Sequence, residues 1–166
     1  MSGPPDSFAG DWVTPDHPQY AEAVARWATN AERRAKAVAF VKSPQDVATV
    51  LRYATQSKLP IAIRGGGHST SGASSIENGI VIDLSRHLSS ARVDPVAKLA
   101  YVGGGAVWGT VDKAAIEHGL ATVAGTVNHV SNLKLRDTQS VIDVRQREDW
   151  CRRVCTSSLA LTSRSL

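Results

Sequence analysis

No apolar run in the 166 residues is longer than the five of Ala37 to Val41, so nothing in the sequence can cross a bilayer as a helix. Cysteine is nearly absent. The two present, Cys151 and Cys155, stand near the end in a Cys-x-x-x-Cys spacing with no second pair, too little for a disulfide framework or a structural metal site. Aromatic residues make up only 5% of the chain, and neither sign of charge dominates, with 19 Lys/Arg against 15 Asp/Glu and a net charge of +4. A nucleic-acid binder would carry a basic face with aromatics set among it. Neither is visible, so no nucleic-acid partner is expected, and no membrane partner. The opening Met1-Ser2-Gly3-Pro4-Pro5-Asp6 lacks the basic start and apolar run of a secretion signal, so a cytoplasmic location is expected, or a secreted one if the start is incomplete.

What is present suits a single domain: 42% of the residues are hydrophobic, enough to bury a core. Glycine is unevenly spread, with all 13 at or before Gly125. Residues 130–166 hold none, and carry seven Lys/Arg against four Asp/Glu. The chain therefore changes character near residue 130. The expected organisation is an N-terminal arm and helix over 1–36, a body over 37–129 and a tail over 130–166.

The arm is rich in proline (Pro4, Pro5, Pro15, Pro18) and reads as irregular up to about Tyr20. From Tyr20 to Lys36 the spacing of Ala21, Val24, Ala25, Ala28 and Ala31 predicts an amphipathic helix. Ala37 to Val41 is short, apolar and β-prone, a buried strand. Ser43 then caps a helix that begins at Pro44, with Asp46 in its first turn and Val47, Val50, Leu51 and Ala54 along one stripe. Leu59 to Ile63 is a second strand, completing a βαβ unit. Gly79 to Leu84 predicts another strand, Ala91–Val93 with Leu99–Gly103 a hairpin, Ala106–His118 a helix stopped by Gly119, and Leu120–Ala124 a last short strand.

The second strand runs into Arg64-Gly65-Gly66-Gly67-His68-Ser69-Thr70-Ser71-Gly72. The G-x-G-x-x-G dinucleotide fingerprint does not fit this run, and no glycine is followed by Lys and Ser/Thr at phosphate-loop spacing. Gly67-His68-Ser69-Thr70-Ser71 approaches the G-x-S-x-G hydrolase elbow but ends on Ser71 where a glycine is required. What remains is a strand feeding free backbone N–H groups, with a cation before them and a hydroxyl after, a nest suited to a diphosphate. A tight glycine turn that binds nothing is the plainer alternative. His68 argues against it, because an imidazole is poor loop filler and a good nucleophile near neutral pH.

Four blocks in order carry a resemblance: Ile61 to Ser69, Ile80-Val81-Ile82-Asp83-Leu84-Ser85, Tyr101-Val102-Gly103-Gly104-Gly105-Ala106, and Gly125-Thr126-Val127-Asn128-His129. Together they resemble the FAD-binding half of the FAD-linked oxidases, the berberine bridge enzyme-like branch of the PCMH-type superfamily. The resemblance implies an α+β fold, the N-terminal part of a PCMH-type FAD-binding domain in which a βαβ unit is followed by the start of a second mixed sheet. It implies FAD as cofactor, with Arg64, Gly65, Gly66, Gly67, Ser69 and Gly72 lining the diphosphate and His68 bonded covalently to the methyl of the flavin's benzenoid ring. Gly125, Thr126, Asn128 and His129 join the cofactor site from the last block. Some relatives add a second bond from a cysteine where this chain has Val127, so a single linkage is expected. The implied reaction takes hydride from a small organic donor to FAD and passes the electrons to oxygen, the cofactor doing the redox chemistry.

After His129 such a family continues into a further glycine-rich segment of the type T-G-V-G-G. This chain reads Val130-Ser131-Asn132-Leu133 instead. The rest of the flavin domain and the substrate domain, each on the order of 100–200 residues, have no counterpart in the sequence, so no catalytic residue is assigned. Val-Ser is what the bases GTAAGT, the common start of an intron, encode, and the tail reads as translated intron. As protein, Val141, Val144, Glu148 and Cys151 lie at helical spacing around a solvated charge run. The second reading is a non-catalytic fragment that at most holds a nucleotide diphosphate through residues 64–72.

Overall fold

The computed structural model describes residues 3–131 and 139–146. Two small sheets and three helices make an α+β arrangement. The first sheet is built of β1 (Asp11–Val13), β2 (Ala37–Phe40), β3 (Ile61–Arg64) and β4 (Ile80–Asp83), in the order β1-β2-β4-β3. Strand β2 (Ala37–Phe40) is buried at every position, and α2 (Pro44–Gln56) leaves it through the expected cap, in which Ser43 Oγ accepts from the Asp46 N–H at 3.2 Å. Strands β3 (Ile61–Arg64) and β4 (Ile80–Asp83) follow. The βαβ unit forms as the sequence predicts, but its two strands are not neighbours. Strand β4 lies between them, parallel to both, with Ile80–Asp83 aligned to Ala37–Phe40 on one side and to Ile61–Arg64 on the other. All four residues of β4 are buried, as expected for a central parallel strand covered on both faces.

Ala39, Val41, Val50, Ala54, Ile80 and Ile82 form the core between this sheet and α2. Leu51, expected on the same stripe, is 37% exposed at its rim. On the other face Val13, Ala23, Ala35, Val38, Phe40 and Val81 pack beneath the N-terminal arm. The arm itself departs from expectation. Asp11–Val13 is a strand, β1, antiparallel to β2.

The helix predicted over 20–36 is only Tyr20–Val24 (α1), followed by a single 3-10 turn at Thr29–Ala31. The cause is local. Ala25 turns to ψ 143°, and the Arg26 N–H bonds the Glu32 carboxylate at 3.0 Å instead of a backbone carbonyl of the helix.

The second sheet, order β5-β6-β7, is antiparallel: β5 (Ala91–Asp94) pairs with β6 (Leu99–Gly103), and β6 with β7 (Gln139–Asp143). Helix α3 (Trp108–Ile116) covers it, with Val111 and Ala115 buried, and Gly119 ends the following turn at φ +65°. Two expectations fail here. Leu120–Ala124 is not a strand; Ala121 only bridges to Arg145. The helical spacing of Val141 and Val144 is not realised either, because 139–143 completes the sheet and Val144 enters the second core beside Ala100, Val102 and Leu120. The edge of β6 needs hydrogen-bond partners, and this pairing outweighs a broken helical stripe. The Asn132 end of the tail reading, Glu148, and the cysteines lie outside the described residues. Among the described residues no helix is long and apolar enough to cross a membrane.

Candidate functional site

The glycine run leaves β3 at its C-terminal end, beside the C-terminal end of β4, the end of an α/β sheet where ligands commonly sit. It lines a cavity of about 300 Å³ together with His68, Ser69, Ser74, Gly104 and Ser131. Gly67 has φ +72°, a conformation that only glycine adopts without strain. Gly65 makes a close approach: a Cβ there would lie 3.1 Å from the Gly104 carbonyl oxygen and 2.9 Å from Ser131 Oγ. The backbone N–H groups of Gly67, His68 and Ser69 donate to no described residue, whereas that of Gly66 donates to Ser131 Oγ.

His68 is half-buried between two rings, with centroids 5.6 Å from Trp27 and 4.6 Å from His129. Burial, and then repulsion from His129, pull its pKa below the usual histidine value, so the ring is neutral and nucleophilic at neutral pH. His129 thus reaches His68 from the last sequence block. Asn128 contributes through its backbone, accepting from the Gly109 N–H at 2.6 Å, while Gly125 and Thr126 are exposed and do not line the cavity. Ser69 Oγ stabilises the loop from within, accepting from the Ala73 N–H at 3.3 Å and lying 3.0 Å from Ser71 Oγ. Gly72 turns the chain at φ +79° outside the cavity lining.

Arg64 is placed differently from expectation. Its Nη1 donates to the fully buried Asp83 at 3.0 Å and to the Ala23 carbonyl at 3.2 Å, and it does not line the cavity. It braces the floor of the loop. Asp83 is held in turn by the Ser85 N–H and hydroxyl, at 2.8 and 2.6 Å.

Four residues near the loop went unnoticed in the sequence: Arg26, Trp27, Ser74 and Ser131. Only Ser131 left a signal, standing where the glycine-rich continuation should begin. Arg64 Nε, Ser74 Oγ and Ser75 Oγ are buried with no described hydrogen-bond partner. Ser74 lines the cavity and Arg64 Nε lies beneath Gly67, and unpartnered donors so placed suit an anion with several oxygens, such as a diphosphate. The cavity is at the small end for a ligand of drug size, so it takes part of a dinucleotide and not the whole. A second hollow of about 290 Å³, among Trp12, Lys36, Tyr53 and Ile80, lies at the other end of the strands, where Trp12 Nε1 is the unpartnered buried donor among the described residues and no glycine run is present.

The fold and the glycine cradle are those of an FAD-binding domain. The chain belongs to the family described as "FAD binding domain", whose sequence profile matches residues 35–131. It is 37% identical over 123 residues to the FAD-linked oxidoreductase YgaK of Bacillus subtilis, covering 74% of this chain and 27% of the relative. It is 35% identical over 121 residues to (R)-6-hydroxynicotine oxidase of Paenarthrobacter nicotinovorans, covering 73% and 26%. Among solved structures, 6-hydroxy-D-nicotine oxidase from Arthrobacter nicotinovorans superposes with a TM-score of 0.75 at 33% identity, over 79% of this chain and 29% of that one. A berberine bridge enzyme-like protein of Physcomitrella patens shares the fold, with a TM-score of 0.69 at 24% identity. The chain thus spans about a quarter of the length of these relatives, and the fold is the N-terminal part of their FAD-binding domain.

Proposed function

We propose that this chain is the diphosphate-holding part of an FAD-dependent oxidoreductase that takes hydride from a small organic donor and uses oxygen as electron acceptor. One observation carries the reading: three consecutive N–H groups, from Gly67 to Ser69, have no partner among the described residues and stand beside a cavity with a neutral histidine in their midst. The backbone of Gly65, Gly66, Gly67 and Ser69 binds the diphosphate, with Gly72 setting the turn that closes the loop. His129 flanks His68 from the last block, and Gly125, Thr126 and Asn128, outside the cavity lining, meet the cofactor beyond it. His68 would hold the flavin by a single covalent bond, its neutral ring as nucleophile replacing one hydrogen of the flavin's methyl group, with oxygen taking up the two electrons and protons released. Bound FAD supplies hydride acceptance and electron transfer; these residues bind it, orient it and hold His68 deprotonated.

A second reading, a non-catalytic fragment, is favoured by Ser131, whose hydroxyl already occupies the Gly66 N–H. One experiment separates them. The protein is loaded with FAD, denatured and precipitated. Yellow colour retained in the pellet, with oxygen consumption on adding amine or alcohol donors, supports the oxidoreductase. Complete release of flavin removes the His68 bond. Absence of flavin binding removes the first reading altogether.

A further inference from the structure

Arg26 is a buried cation, and no carboxylate among the described residues is in contact with its guanidinium. Only 7% of it is exposed, and it spends its donors on backbone carbonyls: Ser74 from Nε and Nη2 at 3.2 and 2.8 Å, Ala23 and Ala25 from Nη1 at 3.1 and 2.8 Å. Its pKa is lowered to about 10, by burial first and by Arg64 second, so it stays charged at neutral pH. Asp83 and Glu32 offset this only in part; Asp83 is already paired with Arg64, and Glu32 bonds the Arg26 backbone N–H. Gly67 is pressed against both guanidinium side chains, since a Cβ on it would lie 3.0 Å from Arg64 Nε and 3.4 Å from Arg26 Cδ.

Burying a charge is costly unless something compensates it. Arg26 lies outside the stretch matched by the family, on the arm, yet it reaches the far rim of the glycine loop through Ser74, which lines the cavity.

We propose that Arg26 is a positioning residue for a nucleoside diphosphate in the glycine loop: it fixes the Ser74 rim and supplies, through the floor at Gly67, the positive potential that the anion compensates. The inference rests on the diphosphate reading of the loop. Its chemistry is that of a charge held at a fixed place in a low-dielectric floor, where screening by salt is weak.

The test uses the full 166-residue chain with ADP and adenosine as probes, by calorimetric titration. Arg26→Gln keeps a donor for the Ser74 carbonyl and removes the charge; Arg26→Lys keeps the charge and loses the planar fork. ADP affinity is expected to fall on the order of tenfold in Arg26→Gln and to stay within about threefold of the parent in Arg26→Lys, with adenosine binding equal in all three proteins. Equal ADP affinity in parent and Arg26→Gln overturns the inference while leaving the diphosphate reading intact. So does an equal fall for ADP and adenosine, which would make Arg26 a purely structural tie. Failure of the parent to bind ADP at all overturns the diphosphate reading and this inference with it. If Arg26→Gln does not fold, the Lys variant decides: a loss of ADP affinity beyond threefold in a folded Arg26→Lys protein sinks the charge argument.

Discussion

The Ser131 hydroxyl accepts the hydrogen bond of the Gly66 N–H, so a side chain of the polypeptide occupies one of the donors that a diphosphate would need. Ser131 is anchored for the purpose by its antiparallel bridge to Val107, and Trp108 N–H bonds the Val130 carbonyl at 3.1 Å alongside. A ligand entering the loop competes with a tethered hydroxyl. A neutral hydrogen bond is worth roughly 0.5–1.5 kcal/mol net, so Ser131→Ala should strengthen FAD binding about 2- to 12-fold. Flavin fluorescence titration reads this, and amide exchange at Gly66 should quicken in the ligand-free variant. Unchanged affinity would mean that the diphosphate does not use the Gly66 donor.

Arg64 and Asp83 test the floor beneath the loop. Asp83 has no exposed side-chain surface and Arg64 is 19% exposed, so removing one partner leaves a largely buried guanidinium uncompensated. Asp83→Asn is expected to cost about 3 kcal/mol. The denaturation midpoint should drop with an unchanged m-value, which marks lost stability and not altered compactness. A midpoint within error of the parent would show that the Ala23 and Ser85 contacts suffice without the charge.

Much of this fold could be read from the sequence, and the failures share a cause. The Ser43-Pro44 start, the apolar β2 and β4, the hairpin and the Gly119 stop are local signals, and local chemistry decided them. Strand β1 and the shortened α1 depend on partners far along the chain: Asp11 pairs in register with Phe40, and Arg26 reaches 48 residues ahead to Ser74. Periodicity is blind to such contacts. At the site, the glycine run and His68 were legible because backbone freedom and an imidazole are properties of residue types. Arg64 was misread because an arginine beside a nest looks the same in sequence whether it faces a ligand or a buried aspartate. The approach of His129 to His68 was legible nowhere in the sequence, since no spacing rule joins residues 61 positions apart.

His68 makes stability depend on pH in a definite direction. Its folded pKa lies below the usual value near 6.5. Between that value and its lower folded pKa the unfolded chain binds more protons than the native one, so stability falls as pH falls through this window. His68→Gln should flatten the decline in melting temperature between pH 7 and pH 5. An unchanged slope would assign the decline to other groups, and a steeper slope would mean that His68 is charged in the native state.

Val144 decides whether residues 139–146 are part of the folded protein. It is fully buried against the second core, and its N–H bonds the Lys98 carbonyl at 3.0 Å, while β7 pairs along the whole of β6. A sequence arriving there by accident would have no reason to place a small apolar residue between Val111 and Leu120. Truncating a buried aliphatic side chain leaves a cavity, and Val144→Ala should cost about 2 kcal/mol. The damage should stay local: β5, β6 and α3 should become protease-sensitive while the first sheet, with its separate core around Val50 and Ile82, keeps its protection. Equal protection of both sheets in Val144→Ala and the parent would remove the tail from the fold and return residues 139–146 to the status of an appendage.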